Sequence, residues 1–244
     1  METNKQSGTT INEIAESIYR ISTPVPPETI PGGFTFNQFL VVDEAPLLYH
    51  TGPRKMLPLV QEAINALIPV NSLRYIGFSH YEADECGSLN NFLEMAPNAE
   101  PLCSKIAKMV SVDDIAIRPA HALADGEELS LGTHVVRWID TPHFPHAWGC
   151  GHLFEKTTKT LFCGDLFTQG GHEHEPLTTS DILEPSEQMR GGLDYFSQTR
   201  LVHELAEKLA ITAPQVLACM HGASWKGDGA TLLRQLGGRL AGGV

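Results

Sequence analysis

The stretch LRYIGFSHYEADECGSLNNFLEM (residues 73–95) holds two apolar runs on either side of a polar segment. The run Leu73–Phe78 predicts a buried strand, and Gly87–Met95 predicts a helix that ends before a proline. The polar segment between them carries three side chains of the types that bind metal ions: His80, Glu82 and Asp84. Their alternate spacing keeps all three on one side of an extended or loosely turned backbone.

An imidazole and two carboxylates at this spacing have two physical interpretations. A cation can neutralise carboxylates that otherwise repel each other, or the three side chains can form an exposed polar loop that water solvates. The choice between them depends on whether other candidate ligands reach the same place.

Three further strand-like runs also end in candidate ligands. The runs, each with the ligands that follow it, are His134–Ile139 with His143 and His146, Thr160–Cys163 with Asp165, and Val216–Met220 with His221. Loops at the carboxyl ends of strands converge on a rigid sheet edge, where proteins commonly build their sites. Four separate strand-like runs that end in candidate ligands at such an edge favour a metal site over a solvated loop.

The remaining segments alternate between strand-like and helix-like patterns. They comprise a hairpin of Phe34–Val42 with Ala45–His50 and amphipathic helices at Lys55–Leu67, Gln198–Leu209 and Ala230–Leu240. Strands in two clusters, each followed by helices, predict either two sheets packed between helices or one large α/β domain. We expect a single domain over residues 1–244, with flexible ends at residues 1–10 and 237–244.

The composition limits the classes of function. The chain has 244 residues, with 17 Lys+Arg against 29 Asp+Glu, a formal net charge of −12 and 11 His. This acidic balance disfavours a nucleic-acid or anionic-membrane partner, which needs a basic surface. The sequence shows no apolar run long enough to span a membrane and no signal peptide, and its five cysteines cannot all pair. We therefore expect a cytoplasmic protein with reduced thiols.

The order of these motifs resembles the metallo-β-lactamase superfamily: H-x-E-x-D, a His after a Thr-Pro turn, a strand-end Asp and a late His-Gly. Hydrolytic members usually carry a second His where this chain has Glu82. The motif with Glu at this position is similar to the motif of the flavodiiron proteins and their stand-alone oxygen-binding di-iron relatives. The segments FTFNQFLVV, TLFCGDLF and MHGASW are similar to segments of the same proteins. The resemblance implies an α+β fold, a four-layer αββα sandwich.

The resemblance also implies roles for individual residues. The implied ligands are His80, Glu82 and His146 for one iron ion, Asp84 and His221 for a second, and Asp165 as the bridge between them. His143 is the alternative to His146 or a contact behind the ligands, and in the latter place it is a candidate catalytic residue. Tyr81, between two ligands, is a candidate proton donor near bound oxygen.

Three positions depart from the pattern of the relatives. Glu85 stands where many of them have His, so we expect the second metal to be more open. Gly149 stands where an acidic residue often follows the ligand His, and a contact that orients the ligand is therefore expected to be missing. His50 stands where relatives commonly have Asp.

One function that fits this ligand set is that of a non-haem di-iron protein that binds O2 or NO. Reduction of the bound gas is a second step that such a protein can carry out. The oxygen-rich set suits iron or manganese, and zinc stays open. Too few residues follow His221 to form the flavin domain of flavodiiron proteins, so we expect no flavin in this chain. Electrons then come from an external donor, or the protein is a gas sensor with a signalling partner. The resemblance further implies a homodimer.

The alternative function is a dinuclear metallohydrolase, in which a metal-bound hydroxide attacks a small thioester, lactone or phosphoester. Zinc supports this chemistry but has no redox chemistry, so the metal content separates the two functions. A further tract, Gly171–Glu175, contains His172 and His174. It is predicted to be a solvated loop, with a lid over the site as the alternative.

Overall fold

A computed structural model describes residues 1–242 of the chain, and within them the strands form two sheets. The first sheet has eight strands in chain order: β1 (Glu2–Asn4), β2 (Thr9–Ala15), β3 (Ile18–Val25), β4 (Phe34–Val41), β5 (Leu47–Tyr49), β6 (Tyr75–Gly77), β7 (Glu100–Ser104) and β8 (His121–Leu123). Neighbours from β1 to β5 are antiparallel, and neighbours from β5 to β8 are parallel.

The second sheet has seven strands in the described part of the chain, in the order β13-β15-β14-β12-β11-β10-β9. Their bounds are β9 (Glu128–Ser130), β10 (Val135–Asp140), β11 (Gly151–Glu155), β12 (Thr160–Gly164), β13 (Leu177–Thr178), β14 (Val216–Cys219) and β15 (Ser224–Lys226). The pair β12–β14 is parallel, whereas β10–β11 and β11–β12 are antiparallel, so β10, β12 and β14 run in one direction.

Helices connect and cover the sheets. Their bounds are α1 (Leu57–Asn65), α2 (Ala83–Cys86), α3 (Leu89–Met95), α4 (Lys105–Ala107), α5 (Asp113–Ile115), α6 (Leu183–Leu193), α7 (Val202–Ala210) and α8 (Gly229–Ala241), and a π-helical turn, Lys108–Val112, joins α4 to α5. In residues 1–242, none of the helices combines the length and the apolar character that crossing a bilayer requires.

Three apolar cores define how the layers stack. Alternate side chains of β4 point to opposite faces: Leu40 packs towards α1 and α3, whereas Phe39 and Val41 face the second sheet. Trp138 and Phe162 of the second sheet complete this middle core. A third core joins the outer face of the second sheet to α6, α7 and α8. The chain therefore folds as a four-layer αββα sandwich, which confirms the α+β prediction.

Regular secondary structure extends into both terminal segments, whose flexibility stays a prediction. Residues 1–10 contribute β1 and the first residues of β2, and the Met1 amino group donates to the Ile11 carbonyl oxygen at 2.8 Å. Strand pairing orders this polar segment because it satisfies backbone groups without needing an apolar pattern. At the other end α8 continues to Ala241, and Gly243 and Val244 lie outside the described residues.

Candidate metal centre

Four strand ends supply most of the candidate ligands. His80 follows β6 of the first sheet, whereas His146, Asp165 and His221 follow β10, β12 and β14 of the second. Because those three strands run in one direction, their carboxyl ends lie at the same edge of the sheet. The structure thus brings together segments far apart in the sequence, as the strand-end pattern predicts.

The short helix α2 carries the remaining carboxylates. Glu82 is its N-terminal cap residue, with an extended backbone, and Asp84 and Glu85 lie in its first turn. The backbone N–H of Thr51 donates to the Glu85 carbonyl oxygen at 2.7 Å, and the Thr51 hydroxyl accepts from the backbone N–H of Ser88 at 3.0 Å. These bonds to the loop after β5 fix the direction in which α2 presents its side chains.

The first ligand set surrounds two imidazoles. The Nε2 atoms of His80 and His146 lie 2.9 Å apart. Glu82 Oε1 is 3.1 Å from Nε2 of His146, and Asp165 Oδ2 is 3.2 Å from the same atom. Donor atoms that share one ion, with bonds of about 2.1 Å, lie about 3–3.5 Å apart. His80, His146 and Asp165 therefore have the spacing of ligands to a single metal ion, and Glu82 adjoins them, 3.1 Å from His146 Nε2 and 3.7 Å from His80 Nε2.

The second ligand set lies on the other side of Asp165. His221 Nε2 is 3.2 Å from Asp165 Oδ1 and 3.4 Å from Asp84 Oδ2. Asp165 therefore faces the first set through Oδ2 and the second through Oδ1. A carboxylate placed in this way is suited to bridge two cations.

The second ring nitrogen of two imidazoles is held by backbone carbonyl groups. His146 Nδ1 lies 2.9 Å from the Tyr195 carbonyl oxygen, and His221 Nδ1 lies 2.7 Å from the Thr35 carbonyl oxygen. A carbonyl oxygen only accepts, so Nδ1 carries the hydrogen in both rings. This leaves Nε2, the nitrogen that faces the carboxylates, able to bind a metal.

His80 is oriented through a chain of side chains that includes His50. His80 Nδ1 is 3.0 Å from the Ser79 hydroxyl oxygen, which lies 3.1 Å from His50 Nε2. Burial lowers the pKa of His50 to about 3, so this imidazole is neutral. The departure noted in the sequence at His50 thus has a physical role, which is to hold Ser79 against a metal-facing histidine.

The loop that carries His221 is held by buried polar side chains. Gly222 adopts a φ of 91°, a conformation that favours glycine. Its carbonyl oxygen accepts from the Arg20 guanidinium at 2.7 Å and from the Asn37 amide at 2.9 Å. Phe34 stacks on the His221 ring with centroids 4.3 Å apart. Strands β3 and β4 of the first sheet therefore position a ligand of the second.

Charge pairing dominates the electrostatics of the cluster. Burial raises the pKa of Asp165, but hydrogen bonds from His146 and His221 outweigh burial and hold the pKa well below its usual value. Burial lowers the pKa values of these two imidazoles, and the carboxylates raise them to about 10 for His146 and about 9 for His221. Contacts with His146 and His80 lower the pKa of Glu82 to about 2. The carboxylates thus require positive charge, from protons on the imidazoles or from cations in their place.

Glu85 also belongs to the cluster, although it is not among the ligands predicted from the sequence. Its side chain is fully buried, and Oε1 lies 3.6 Å from His80 Nε2. Burial, and next the charges of Asp165 and Asp84, raise the pKa of Glu85 well above its usual value. Its position directly after Asp84, in the first turn of α2, is the sequence signal that points to it.

Of the two histidines that follow β10, the structure brings His146 to the cluster. His143 is exposed, and its side chain forms no hydrogen bond or ion pair with the described residues. Its backbone N–H donates to the Ala147 carbonyl oxygen at 2.8 Å. A catalytic role for His143 therefore has no contact to support it and stays a prediction.

A cavity of about 610 Å³ opens beside Glu82. Tyr81, the candidate proton donor, lines this cavity together with Asn90 and Asn91. The Glu82 side chain is 50% exposed, whereas the His80 side chain is fully buried. Glu82 thus links the cluster to the wall of this cavity, and the role of Tyr81 stays a prediction.

The loop Gly171–Glu175 lies beside the second ligand set. His172 packs so closely over Gly33 that a Cβ on this glycine would lie 2.6 Å from its Nδ1 atom. His174 Nε2 is 3.1 Å from the carbonyl oxygen of Gly170. Neither imidazole pairs with the carboxylates of the cluster in the described residues, and the lid interpretation stays a prediction.

The fold and the site together define a class. An αββα sandwich with histidine and carboxylate side chains at the strand ends of one edge is a metallo-β-lactamase-like fold. The chain belongs to the ODP family of this class, because the family model described as "ODP family beta lactamase" matches residues 34–222. The matched span contains all six ligands predicted from the sequence, and it confirms the resemblance on which they depend.

Curated relatives are similar to the chain over only part of their length. The anaerobic nitric oxide reductase flavorubredoxin of Pectobacterium carotovorum is 25% identical over 214 residues, which are 82% of this chain and 41% of the relative. The putative diflavin flavoprotein A 1 of Nostoc sp. is 32% identical over 140 residues, which are 55% of this chain and 24% of the relative. The chain therefore spans less than half the length of these relatives.

Solved structures share the fold. A mutant flavo di-iron protein from Thermotoga maritima superposes with a TM-score of 0.83 at 21% identity, covering 96% of this chain and 62% of that one. A fragment of putative diflavin flavoprotein A 5 from Nostoc sp. gives a TM-score of 0.79 at 15% identity, covering 96% of this chain and 98% of the fragment. At these identities the likeness extends to the fold alone.

Proposed function

We propose that this protein holds two iron ions at the cluster and binds O2 or NO there. The observation that carries the proposal is the placement of Asp165, whose two carboxylate oxygens each lie 3.2 Å from a different imidazole, that of His146 and that of His221. A carboxylate shared in this way matches a bridge between two metal ions that bind a diatomic molecule.

The chemistry of the donor set favours iron. The ligands in the proposal are three imidazoles and three carboxylates: His80, His146, His221, Glu82, Asp84 and Asp165. Such an oxygen-rich set suits iron or manganese better than a thiolate set does. Relatives named as a nitric oxide reductase and a flavo di-iron protein support the same metal. Iron supplies the redox chemistry that zinc lacks.

The residues of the chain have distinct tasks in this proposal. Backbone carbonyl groups fix the rings of His146 and His221, so that Nε2 of each faces Asp165. Glu82 contacts the imidazoles of the cluster and also lines the cavity, and the proposal assigns the entry of the gas molecule to this side. Tyr81 lines the same cavity and is the candidate to donate a proton to a reduced ligand.

If the protein reduces the gas, the proposal assigns the electrons to an external donor. If it is a gas sensor, gas binding is communicated to a signalling partner. No flavin is assigned to this chain. A cytoplasmic location, where the five free and buried cysteines stay reduced, and a homodimer belong to the same proposal.

The proposal is tested by loading the purified protein anaerobically with ferrous iron, measuring the metal content and recording the absorption spectrum before and after O2 or NO is added. We expect two iron ions per chain and a change in the spectrum with either gas. No bound iron and no spectral change would refute the proposal. Retention of zinc together with hydrolysis of a thioester panel would instead favour the hydrolase.

A pair of variants makes this test specific to the cluster. Glu82→Ala removes a carboxylate 3.1 Å from His146 Nε2, so we expect the first ion to be lost. His174→Ala changes a histidine that contacts its own loop and is expected to leave the iron content unchanged. Equal iron content in the two variants would contradict the assignment of Glu82.

A further inference from the structure

We infer that a buried water molecule is bound between Gln38 and His50, and that it ends a hydrogen-bonded chain which runs through Ser79 to the metal-facing His80. In this chain His50 is a positioning residue, because it favours the pattern of hydrogen bonds that leaves Nε2 of His80 free for a metal ion. The water site stands without the proposed function, whereas the task of the chain rests on it.

The hydrogen bonds around Ser79 have one consistent direction. The backbone N–H of Ser79 donates to His50 Nε2 at 3.3 Å, so this nitrogen is an acceptor and the hydrogen of the neutral ring lies on Nδ1. When Nε2 of His80 binds a metal ion, its Nδ1 carries the hydrogen and donates to the Ser79 hydroxyl oxygen at 3.0 Å. The hydroxyl then donates to His50 Nε2 at 3.1 Å. The chain therefore requires an acceptor beyond His50 Nδ1.

Several buried polar atoms near this end of the chain have no partner. Gln38, His50 and Ser88 are fully buried. Among residues 1–242, His50 Nδ1, both amide atoms of Gln38 and Ser88 Oγ form no hydrogen bond. Buried polar groups without a partner are costly, and proteins commonly satisfy them with internal water. These atoms are therefore candidates to hold a water molecule.

The same atoms surround one short loop, residues 50–52. Gln38 and His50 adjoin the last paired residues of β4 and β5 in the antiparallel register, which makes them cross-strand neighbours. The Gln38 amide reaches the loop, because a Cβ at Gly52 would lie 3.2 Å from its Nε2 atom. Ser88 is held against the loop by its backbone N–H, which donates to Thr51 Oγ1 at 3.0 Å. Gly52 has no side chain to fill the space beside the amide.

The mixture of donors and acceptors identifies the ligand as water. His50 Nδ1 and Gln38 Nε2 offer hydrogens, Gln38 Oε1 accepts, and the Ser88 hydroxyl can do either. A cation would face N–H groups that cannot bind it, and an anion would face the amide oxygen. A water molecule accepts two hydrogen bonds and donates two, so it can satisfy all of these groups.

Two measurements on the metal-free protein test the water site without any ion. A crystal structure at a resolution that shows ordered water is expected to place one water molecule about 2.7–3.2 Å from His50 Nδ1 and from the Gln38 amide. Long-range proton–nitrogen NMR of the imidazoles is expected to show His50 with its hydrogen on Nδ1. A direct bond between Gln38 and His50 with no water, or a hydrogen on Nε2 of His50, overturns the inference.

Anaerobic titration with ferrous iron tests the task of the chain. His50→Leu removes both ring nitrogens, so the ion that His80 binds is expected to be held about 10–100-fold more weakly. His50→Gln keeps one donor and one acceptor and is expected to restore most of the affinity. Ser79→Ala interrupts the chain at the hydroxyl and is expected to weaken binding in the same way, and it serves if His50→Leu does not fold.

His152→Leu is the matched control. His152 is also fully buried, and its two nitrogens lie 2.8 Å from the Thr141 hydroxyl oxygen and 3.0 Å from the Cys163 carbonyl oxygen, neither of which belongs to a proposed ligand. The same change at this position is expected to lower Tm and to leave the iron affinity unchanged.

The outcomes separate the inference from the proposed function. An equal loss of affinity in His50→Leu and His152→Leu, or no loss in His50→Leu while the wild type binds two ions, overturns the task given to the chain. A wild type that binds no iron overturns the proposed function and with it that task, whereas the crystal structure and the NMR spectrum still decide on the water site.

Discussion

Replacement of Asp165 by Asn in the metal-free protein tests the electrostatics of the cluster. The substitution keeps the shape of the side chain and removes the charge that lies 3.2 Å from both His146 and His221. Asp165 is the counter-ion that the two imidazoles share. The variant is therefore expected to lose part of the folding free energy that the charged forms of His146 and His221 contribute. The effect is expected to depend on pH, with a sign that follows from the pKa values.

The magnitude follows from those pKa values. An imidazole with a pKa of about 10 when folded and 6.5 when unfolded stabilises the fold at pH 7 by about 4 kcal/mol, and one with a pKa of about 9 by roughly 2–3 kcal/mol. Asp165 shares His146 with Glu82, and His221 with Asp84. About half of the sum, roughly 3 kcal/mol, therefore depends on Asp165. For a chain of this size that is a Tm lower by roughly 6–12 °C.

The direction of the pH dependence follows from the raised pKa values of the two imidazoles. Both imidazoles have folded pKa values above the unfolded value, so their contribution is complete below about pH 6.5 and is lost as the pH rises through about 9 to 10. Thermal unfolding of the metal-free wild type and of Asp165→Asn from pH 6 to 10 measures it. We expect the Tm of Asp165→Asn to be lower than that of the wild type at pH 7 and the difference to close towards pH 10. A difference of constant size, or none at pH 7, would contradict the role of Asp165 as counter-ion of the two imidazoles.

Two further variants test other parts of the site. His146→Ala is expected to lose the ion of the first set, whereas His143→Ala is expected to keep two ions. Iron analysis after gel filtration measures both, and two ions in both variants would contradict the assignment of His146 as a ligand. Asn37→Ala removes bonds to the Cys219 and Gly222 carbonyl oxygens, each 2.9 Å long, and is expected to lower the free energy of unfolding by about 1–3 kcal/mol. Urea unfolding of the metal-free protein measures this loss, and unchanged stability would contradict the role given to Asn37.

Apolar periodicity and strand-end chemistry are local signals, so they predict individual strands and helices but leave two architectures open. The four-layer sandwich is predicted only by the resemblance to the metallo-β-lactamase superfamily. Alternation in β4 separates Leu40 from Phe39 and Val41, and the structure places them in two different cores. The helices α1, α3, α7 and α8 are also predicted, although α7 begins at Val202 rather than at Gln198, whereas α6 (Leu183–Leu193) is not predicted. Residues 1–10 gave no such signal, because their order comes from pairing with β2 and β3 rather than from apolar side chains.

The details of the site depend on conformations that spacing cannot specify. His143 and Ala147 both adopt positive φ angles, 65° and 63°, and the turn they define carries His146 inward and leaves His143 at the surface. Glu85 points to the cluster because Thr51, distant in sequence, holds the backbone of α2. Both outcomes follow from tertiary contacts, whereas the positions of Asp165 and His221 follow from the strands that precede them.

Anaerobic titration of the metal-free protein with ferrous iron shows whether Asp165 bridges two ions. We expect two ions per chain in the wild type and loss of tight binding of both in Asp165→Asn, since each set loses one carboxylate oxygen. One ion per chain in the wild type, or two ions bound with unchanged affinity by Asp165→Asn, would contradict the bridging role of Asp165.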